Sequence, residues 1–264
     1  MQKGNLFSAN RFILLIKHSL IVNKKLIGIS VAGVTGTLFI ALFFFQSVFS
    51  FQNWTNLSTT IFFLFCYVSL GGMYTSQSFP AFRSKGKSLG YLMLPASSFE
   101  KFIYEFLVRI VALILLFPIL FWIVANAEGS IIHHYIPKLV SYRFSFSQGI
   151  PEFISKWKMS GWDVSTVVQV CLFVYFSTFT GACHFSKSPR IKTLFTLSVI
   201  IAGYTLFTYL LFKGLNLKDF RNPDNEILFI KSKEGIKAAL SIGWMIVNLT
   251  LLSIAWFRFK EKEV

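Results

Sequence analysis

The chain carries no charged side chain from Leu26 to Phe82. A run of this length is enough for two helices that each cross the hydrocarbon core of a bilayer with about 20 residues. The remainder has the same character, since 54% of the 264 residues are hydrophobic and only 14% are charged, well below the charged share of soluble domains. The sequence therefore predicts an all-α, polytopic integral membrane protein and excludes a soluble fold.

Apolar stretches separated by polar ones predict six transmembrane helices in one transmembrane domain, 1–264. We expect the spans at about residues 26–48, 59–78, 101–125, 164–185, 193–212 and 238–257. Before the first span, polar or basic pairs recur every seven residues, which places them on one face of a helix. Residues 1–25 are therefore expected to form an amphipathic interfacial helix along the inner membrane surface.

The distribution of Lys and Arg predicts the orientation, because short cytoplasmic segments are enriched in these residues. Of the 26 Lys and Arg residues, 15 lie in the two termini and in the loops after spans two and four, and 10 lie in the connections 126–163 and 213–237. Both termini are therefore expected in the cytoplasm, and these two connections outside. The net charge of +15 then indicates contact with anionic membrane lipid rather than with nucleic acid.

The loop after span two contains a compact basic segment, RSKGKSLGYLMLPASSFEK, at residues 83–101. Its positive charges come first, and three apolar residues at helical spacing follow on one face. The charges are those of Arg83, Lys85 and Lys87, and the apolar residues are Leu89, Leu92 and Met93. One interpretation is a short helix, 83–94, that contacts a cytoplasmic partner; the other is a polar loop between two membrane helices.

Just beyond this segment the sequence indicates the start of a helix. Ser97 and Glu100 have the S-x-x-E spacing of a capping box, in which each side chain accepts a hydrogen bond from a free amide at the helix start. The helix that contains span three is therefore expected to begin at about Ser98. Glu105 and Arg109 follow, four residues apart, so that they can form an intramembrane ion pair along the helix. Both a structural and a functional role are open for this pair, because ionisable groups in spans are costly to keep.

The sequence lacks the residue patterns that several kinds of chemistry require. No G-x-x-x-x-G-K-[ST] motif is present to hold nucleotide phosphates, so the chain is not expected to hydrolyse ATP. Adjacent His133 and His134 have no third ligand at a recognisable spacing, and no metal site is predicted. The spans also lack the paired carboxylates typical of a proton-coupled carrier. We therefore predict no catalytic residues, no cofactor and no enzyme activity, and an energy source that lies in a partner.

These features resemble the membrane permease subunits of bacterial type-2 ABC transporters, an exporter-like class with six spans per subunit. The residues that carry the resemblance are the N-terminal amphipathic helix, Leu94-Pro95-Ala96-Ser97 with Glu100-Lys101, and the loop containing Phe185-Ser186-Lys187 and Ile191-Lys192-Thr193. The long connection 126–163 departs from the family, whose larger outer segment more often lies between spans five and six.

The resemblance implies that residues 83–94 form a coupling helix that docks on a separate ATP-binding subunit. It assigns ATPase coupling to Arg83, Lys85, Lys87, Leu89, Leu92, Met93 and Glu100, and more weakly to Lys187, Arg190 and Lys192. Two permease subunits, as a homodimer or a heterodimer, would enclose the path of an unidentified exported substrate across the cytoplasmic membrane. Two other classes stay open: a non-transporting membrane scaffold or assembly protein, and a membrane-embedded enzyme.

Overall fold

The computed structural model describes residues 7–48, 54–83, 96–135, 143–185, 188–214 and 233–263. Within these ranges the regular structure is helical throughout and contains no strand, which confirms the predicted all-α class. The helices are α1 (Ala9–Val48), α2 (Asn56–Thr75), α3 (Ser98–Phe106), α4 (Ala112–Tyr135), α5 (Phe146–Lys156), α6 (Gly161–His184), α7 (Pro189–Gly214) and α8 (Lys233–Glu263). A short 3-10 helix, Pro80–Arg83, follows α2, and a π-helical turn, Leu107–Val111, joins α3 to α4.

Five helical segments of the described chain are long and apolar enough to cross a membrane. They are Ile27–Val48, Asn56–Thr75, Ser98–Ile132, Gly161–His184 and Lys237–Lys262, and they coincide with five of the predicted spans. Large apolar side chains such as Ile40, Leu116 and Ile246 are exposed on these helices, as expected where a helix faces lipid tails. The chain is thus a multi-pass membrane protein. Helix α7 covers the predicted span 193–212 but is not among the five, so its crossing stays a prediction.

The first helix is longer than expected. The sequence predicts a separate interfacial helix before residue 26, whereas α1 continues without a break from Ala9 to Val48. No proline lies in this stretch, and the residues around Lys24 and Lys25 supply neither a cap nor a turn that would end a helix. The predicted position of its first part along the membrane surface remains untested.

The third span also continues further than expected. α4 extends to Tyr135, so residues 126–135, predicted as the start of an outer connection, are helical. Phe121, Val124 and Glu128 follow one another at intervals of three and four residues and are all buried, which is the pattern of one packed helix face. The longer helix therefore places a carboxylate, Glu128, in the interior.

The chain divides into two compact units, which are described separately. The first consists of Met1–Tyr74 and Ser88–Met159. Its core is aromatic, with the ring of Phe63 lying 5.0 Å from that of Phe121 and 5.0 Å from that of Phe146. Helix α1 lies beside α3 and α4. The three helices run in the same direction, since residues farther along α1 contact residues farther along α3 and α4. Ser8 contacts Glu100, Ser19 contacts Tyr104, and Gln46 contacts Glu128.

The second unit consists of Thr75–Lys87 and Ser160–Lys262. Helices α6 and α8 also run in the same direction: Asp163 contacts Lys237, Gln169 contacts Asn248, and Cys183 contacts Ala255. Helices α6 and α7 form a hairpin that is closely packed at Gly181, where a Cβ atom would overlap the side chain of Thr193.

Candidate functional site

The basic segment predicted to couple to an ATPase is described at its two flanks. Lys85, Lys87, Leu89, Leu92, Met93 and, in the second loop, Lys187 lie outside the described residues. The helix predicted over 83–94 therefore stays a prediction. The described residues on either side of it, 75–83 and 96–100, show how the segment is held.

The upstream flank, just beyond the end of α2, is held by Arg83. The guanidinium of Arg83 donates hydrogen bonds to the backbone carbonyls of Ser76 at 3.1 Å and Ser78 at 3.4 Å. Both carbonyls lie beyond Thr75, the last residue of α2, in the turn that follows the helix. Arg83, predicted as a contact for the ATPase, thus also holds the turn that leads into the basic segment.

The same turn is fixed by Phe79 in the second unit. This residue has a φ of 54°, in the left-handed region that non-glycine residues rarely adopt, at a cost of roughly 1–2 kcal/mol. Its ring is buried and lies 5.0 Å from the ring of Phe179 on α6 and 5.3 Å from that of Phe259 on α8. Burial of a large aromatic side chain offsets the backbone cost. The upstream flank is therefore attached to α6 and α8.

The downstream flank is the predicted capping box, and it is confirmed. The backbone amide of Glu100 donates to Ser97 Oγ at 3.2 Å, and the backbone amide of Ser97 donates to Glu100 Oε2 at 2.8 Å. Helix α3 begins at Ser98 as expected.

The carboxylate of Glu100 also holds the start of α1. Its Oε1 accepts hydrogen bonds from the backbone amide of Ser8 at 2.7 Å and from the guanidinium of Arg11 at 3.2 Å. The side chain has no exposed surface, and its negative charge lies at the amino ends of two helices, where it is stabilised by their dipoles. Glu100 therefore positions α1 and α3, and its predicted role in ATPase coupling stays a prediction. Sequence reasoning missed this role because the partners are about 90 residues away along the chain.

The predicted pair of Glu105 and Arg109 is present. Arg109 Nε lies 3.5 Å from Glu105 Oε2, with 19% and 7% of the two side chains exposed. The guanidinium also lies 4.9 Å from the centre of the Tyr74 ring, within the range of a cation–π interaction. The Tyr74 hydroxyl donates to the carbonyl of Val108 at 3.2 Å. Arg109 and Val108 both lie in the π-helical turn, a feature that is frequent at functional sites.

The second basic loop is described on its α7 side. Arg190 and Lys192 are exposed in the first turn of α7, and Lys192 Nζ lies 5.8 Å from the centre of the Phe185 ring. Pro189 is the first residue of α7, a position at which the missing backbone amide of proline breaks no helical hydrogen bond. The two cations therefore remain accessible to a partner.

A further polar contact, between α1 and α4, was not predicted. Gln46 Nε2 donates to Glu128 Oε2 at 2.9 Å, and both side chains are buried. The sequence signal that could have found it is the spacing of seven residues between Phe121 and Glu128, which places them on the same helix face.

Comparisons of the chain with protein families, curated proteins and solved structures found no match. The function therefore has to be inferred from the chain's own residues. The relevant features are the two flanks of the basic segment, the Glu105–Arg109 pair and the directions of the helices.

Proposed function

We propose that the chain is the membrane permease subunit of an exporter-like, type-2 ABC transporter in the cytoplasmic membrane. The observation that supports this most is that both described flanks of the basic segment are held by specific contacts. Arg83 and Phe79 fix the upstream flank, and Ser97 and Glu100 fix the downstream flank. A segment that transmits a partner's movement to membrane helices needs ends that move with those helices, whereas a plain connecting loop does not.

The helix directions support six spans. Helices α6 and α8 run in the same direction, so the chain has to return across the bilayer between them if both cross it. Helix α7 has 26 residues, or about 39 Å at 1.5 Å per residue, and the hydrocarbon core is about 30 Å thick. We therefore assign α7 as the remaining span, the fifth in chain order. In the first unit, α2 provides the corresponding return between α1 and α4, and an even number of spans places both termini on one side.

The proposed contact with the ATP-binding subunit has two parts. Leu89, Leu92 and Met93 enter an apolar groove of that subunit, and Lys85 and Lys87 meet its acidic rim. Buried apolar residues dominate the energy of such an interface, whereas charges at the rim mainly adjust the association rate and its dependence on salt. Arg190 and Lys192 of the second loop add a weaker contact. Two permease subunits, identical or different, enclose the substrate path.

The decisive experiment replaces the apolar residues. The double variant Leu92→Ser/Met93→Ser is expected to insert at normal abundance but to lose association with the ATP-binding subunit and stimulated ATP hydrolysis. The variant Lys85→Gln/Lys87→Gln is expected to weaken association modestly, most clearly at low ionic strength, where charges are least screened. Lys156→Gln/Lys158→Gln, which removes the same charge from the predicted outer side, is the matched control and should have no effect.

Retention of full ATPase association by the inserted Leu92/Met93 double variant would reject the coupling role. Absence of any co-purifying ATP-binding subunit would favour the alternative of a membrane scaffold. The purified chain alone is expected neither to bind nor to hydrolyse ATP, and hydrolysis by a preparation free of other subunits would contradict the predicted lack of enzyme activity.

The orientation is tested separately by cysteine labelling in intact cells. A cysteine in place of Lys87 should react only with a reagent that has entered the cytoplasm. A cysteine in place of Ser147, which is exposed at the start of α5, should react from outside. The reverse pattern would invert the topology and move the basic segment away from any cytoplasmic ATPase.

A further inference from the structure

Glu128 is a buried carboxylate with an incomplete set of partners. Its side chain is 1% exposed, and Gln46, its partner on α1, is 6% exposed. Gln46 Nε2 donates to Oε2 at 2.9 Å. The other oxygen, Oε1, is buried and has no hydrogen-bond partner among the described residues.

The elements packed against α4 offer Glu128 no cation in the described part of the chain. Helix α1 has no charged residue after Lys25, and α2 has none at all. Farther along α4, His133 and His134 lie five and six residues beyond Glu128, a spacing that does not place side chains together on a helix. The charged residues at α5 are exposed; they are Arg143, Glu152 and Lys156. Within these elements the described polar contact of Glu128 is thus a neutral amide.

The other two buried carboxylates of the first unit differ in this respect. Glu100 Oε1 lies 3.2 Å from Arg11, and Glu105 Oε2 lies 3.5 Å from Arg109. A buried ionised carboxylate is costly unless a cation or several donors compensate its charge. A purely structural contact between membrane helices needs no ionisable group, as the hydrogen bond between Asn248 and Gln169 shows. An ionisable residue at this position therefore requires another explanation.

We propose that Glu128 and Gln46 form a proton-binding site. Oε1 takes up a proton from water at the membrane face when the α1–α4 contact closes, and the carboxyl changes from a charge of −1 to neutral. The proton returns to water when the contact opens. Gln46 holds the acid in place by its hydrogen bond to Oε2, and the ligand is the proton itself. This site is independent of the proposed contact with an ATPase.

The first test uses dicyclohexylcarbodiimide, an apolar reagent that reacts with a carboxyl group only in its protonated form. The acid proton moves to one nitrogen of the reagent, and the carboxylate oxygen adds to its central carbon to give an O-acylisourea. The acyl group then migrates from that oxygen to a nitrogen of the reagent, and the resulting N-acylurea is a stable adduct detectable by mass spectrometry. In membranes of the full chain, labelling of Glu128 is expected to increase as the pH falls and to disappear in Glu128→Gln. Glu100 and Glu105, each paired with arginine, are the internal controls and should stay unlabelled.

A second test changes the partner and leaves Glu128 intact. Gln46→Lys supplies a cation and should abolish labelling, whereas Gln46→Leu removes the hydrogen bond without adding charge and should retain it. The infrared carbonyl band of a protonated carboxyl, measured on the unmodified protein, gives a readout that does not depend on access of a reagent. This band should weaken as the pH rises and be absent in Glu128→Gln.

The proposal is overturned if the unmodified protein shows neither label nor band at any pH. It is also overturned if either signal is independent of pH, since a proton that never leaves makes the residue structural. If the Gln46→Lys protein inserts and is labelled as strongly as the unmodified protein, the lack of a nearby cation is not the reason that Glu128 takes up a proton, and the proposal is contradicted. These results leave ATPase association untouched, so the site and the proposed permease function fail separately.

Discussion

The two units are built on the same plan but use different polar groups. Each contains a pair of long helices that run in the same direction, α1 with α3–α4 in the first and α6 with α8 in the second. All three buried carboxylates of the described chain, Glu100, Glu105 and Glu128, belong to the first unit. In the second unit, the Asp163–Lys237 ion pair between α6 and α8 is partly exposed, and the interior contacts along these helices are made by hydroxyl, thiol and amide groups.

This difference separates two ways of joining helices in lipid. Neutral polar contacts between membrane helices contribute modestly, because the separated helices also find partners for these groups. For a buried ion pair, a large desolvation cost opposes a large attraction between the two charges. Removal of one partner leaves the other charge buried without compensation, so the loss of stability is large. We therefore expect the first unit to be more sensitive to single polar substitutions than the second, and the following predictions rank these effects from largest to smallest.

The largest loss is expected for Glu100→Ala. This change removes the acceptor for Ser97, Ser8 and Arg11 together. Loss of a cap costs about 1 kcal/mol, and each of the partly buried donors of Ser8 and Arg11 adds about 1 kcal/mol, the lower end of the cost of a buried donor left without an acceptor. We expect a total of roughly 3 kcal/mol or more in detergent unfolding experiments.

Glu100→Gln keeps one acceptor oxygen and should lose less stability than Glu100→Ala. Glu152→Ala, an exposed residue on α5, is the control and should have little effect. Equal stability of Glu100→Ala and Glu152→Ala would show that Glu100 does not join α1 to α3.

The next effect concerns the pair in the π-helical turn. Glu105→Gln and Arg109→Gln should each lower the free energy of unfolding by about 1–3 kcal/mol, because the remaining partner is left partly buried without its counter-charge. The exchange Glu105→Arg/Arg109→Glu should recover part of the loss if the pair is structural. If stability returns while the ATP hydrolysis stimulated in the proposed complex does not, the orientation of the pair is needed for the proposed function.

A comparable or smaller loss is expected in the second unit from steric overlap rather than charge. In Gly181→Ala the new Cβ meets the side chain of Thr193, and overpacking of this kind typically costs about 1–3 kcal/mol. Adding Thr193→Ala should relieve the contact and restore much of the stability. Gly243→Ala, where nothing lies within 4 Å, is the matched control; an equal loss there would contradict the packing explanation.

The smallest effect is expected for the amide pair of the second unit. Asn248 Nδ2 donates to Gln169 Oε1 at 2.8 Å. A double-mutant cycle of Asn248→Leu and Gln169→Leu should give a coupling free energy of about 0.6 kcal/mol and not much above 1.7 kcal/mol. A coupling larger than the loss in Glu100→Ala would reverse the ranking of the two units.

Local sequence signals predicted much of the fold. The long apolar stretches determine the all-α membrane class and five of the spans, because the bilayer core accepts backbone only when its polar groups are bonded internally. The start of α3 at Ser98 and the pairing of Glu105 with Arg109 also follow from sequence, since both depend on residues within one helical turn.

Only the tertiary structure decided the contacts between residues far apart in sequence. That Glu100 joins α1 to α3, and that Glu128 lies in the interior beside Gln46 rather than in a loop, depends on which helices become neighbours. The burial of Phe79 against α6 and α8 is decided in the same way. Hydropathy and spacing set the length and the apolar face of each helix, but the free energy of a buried polar group depends on the partner that packing brings to it.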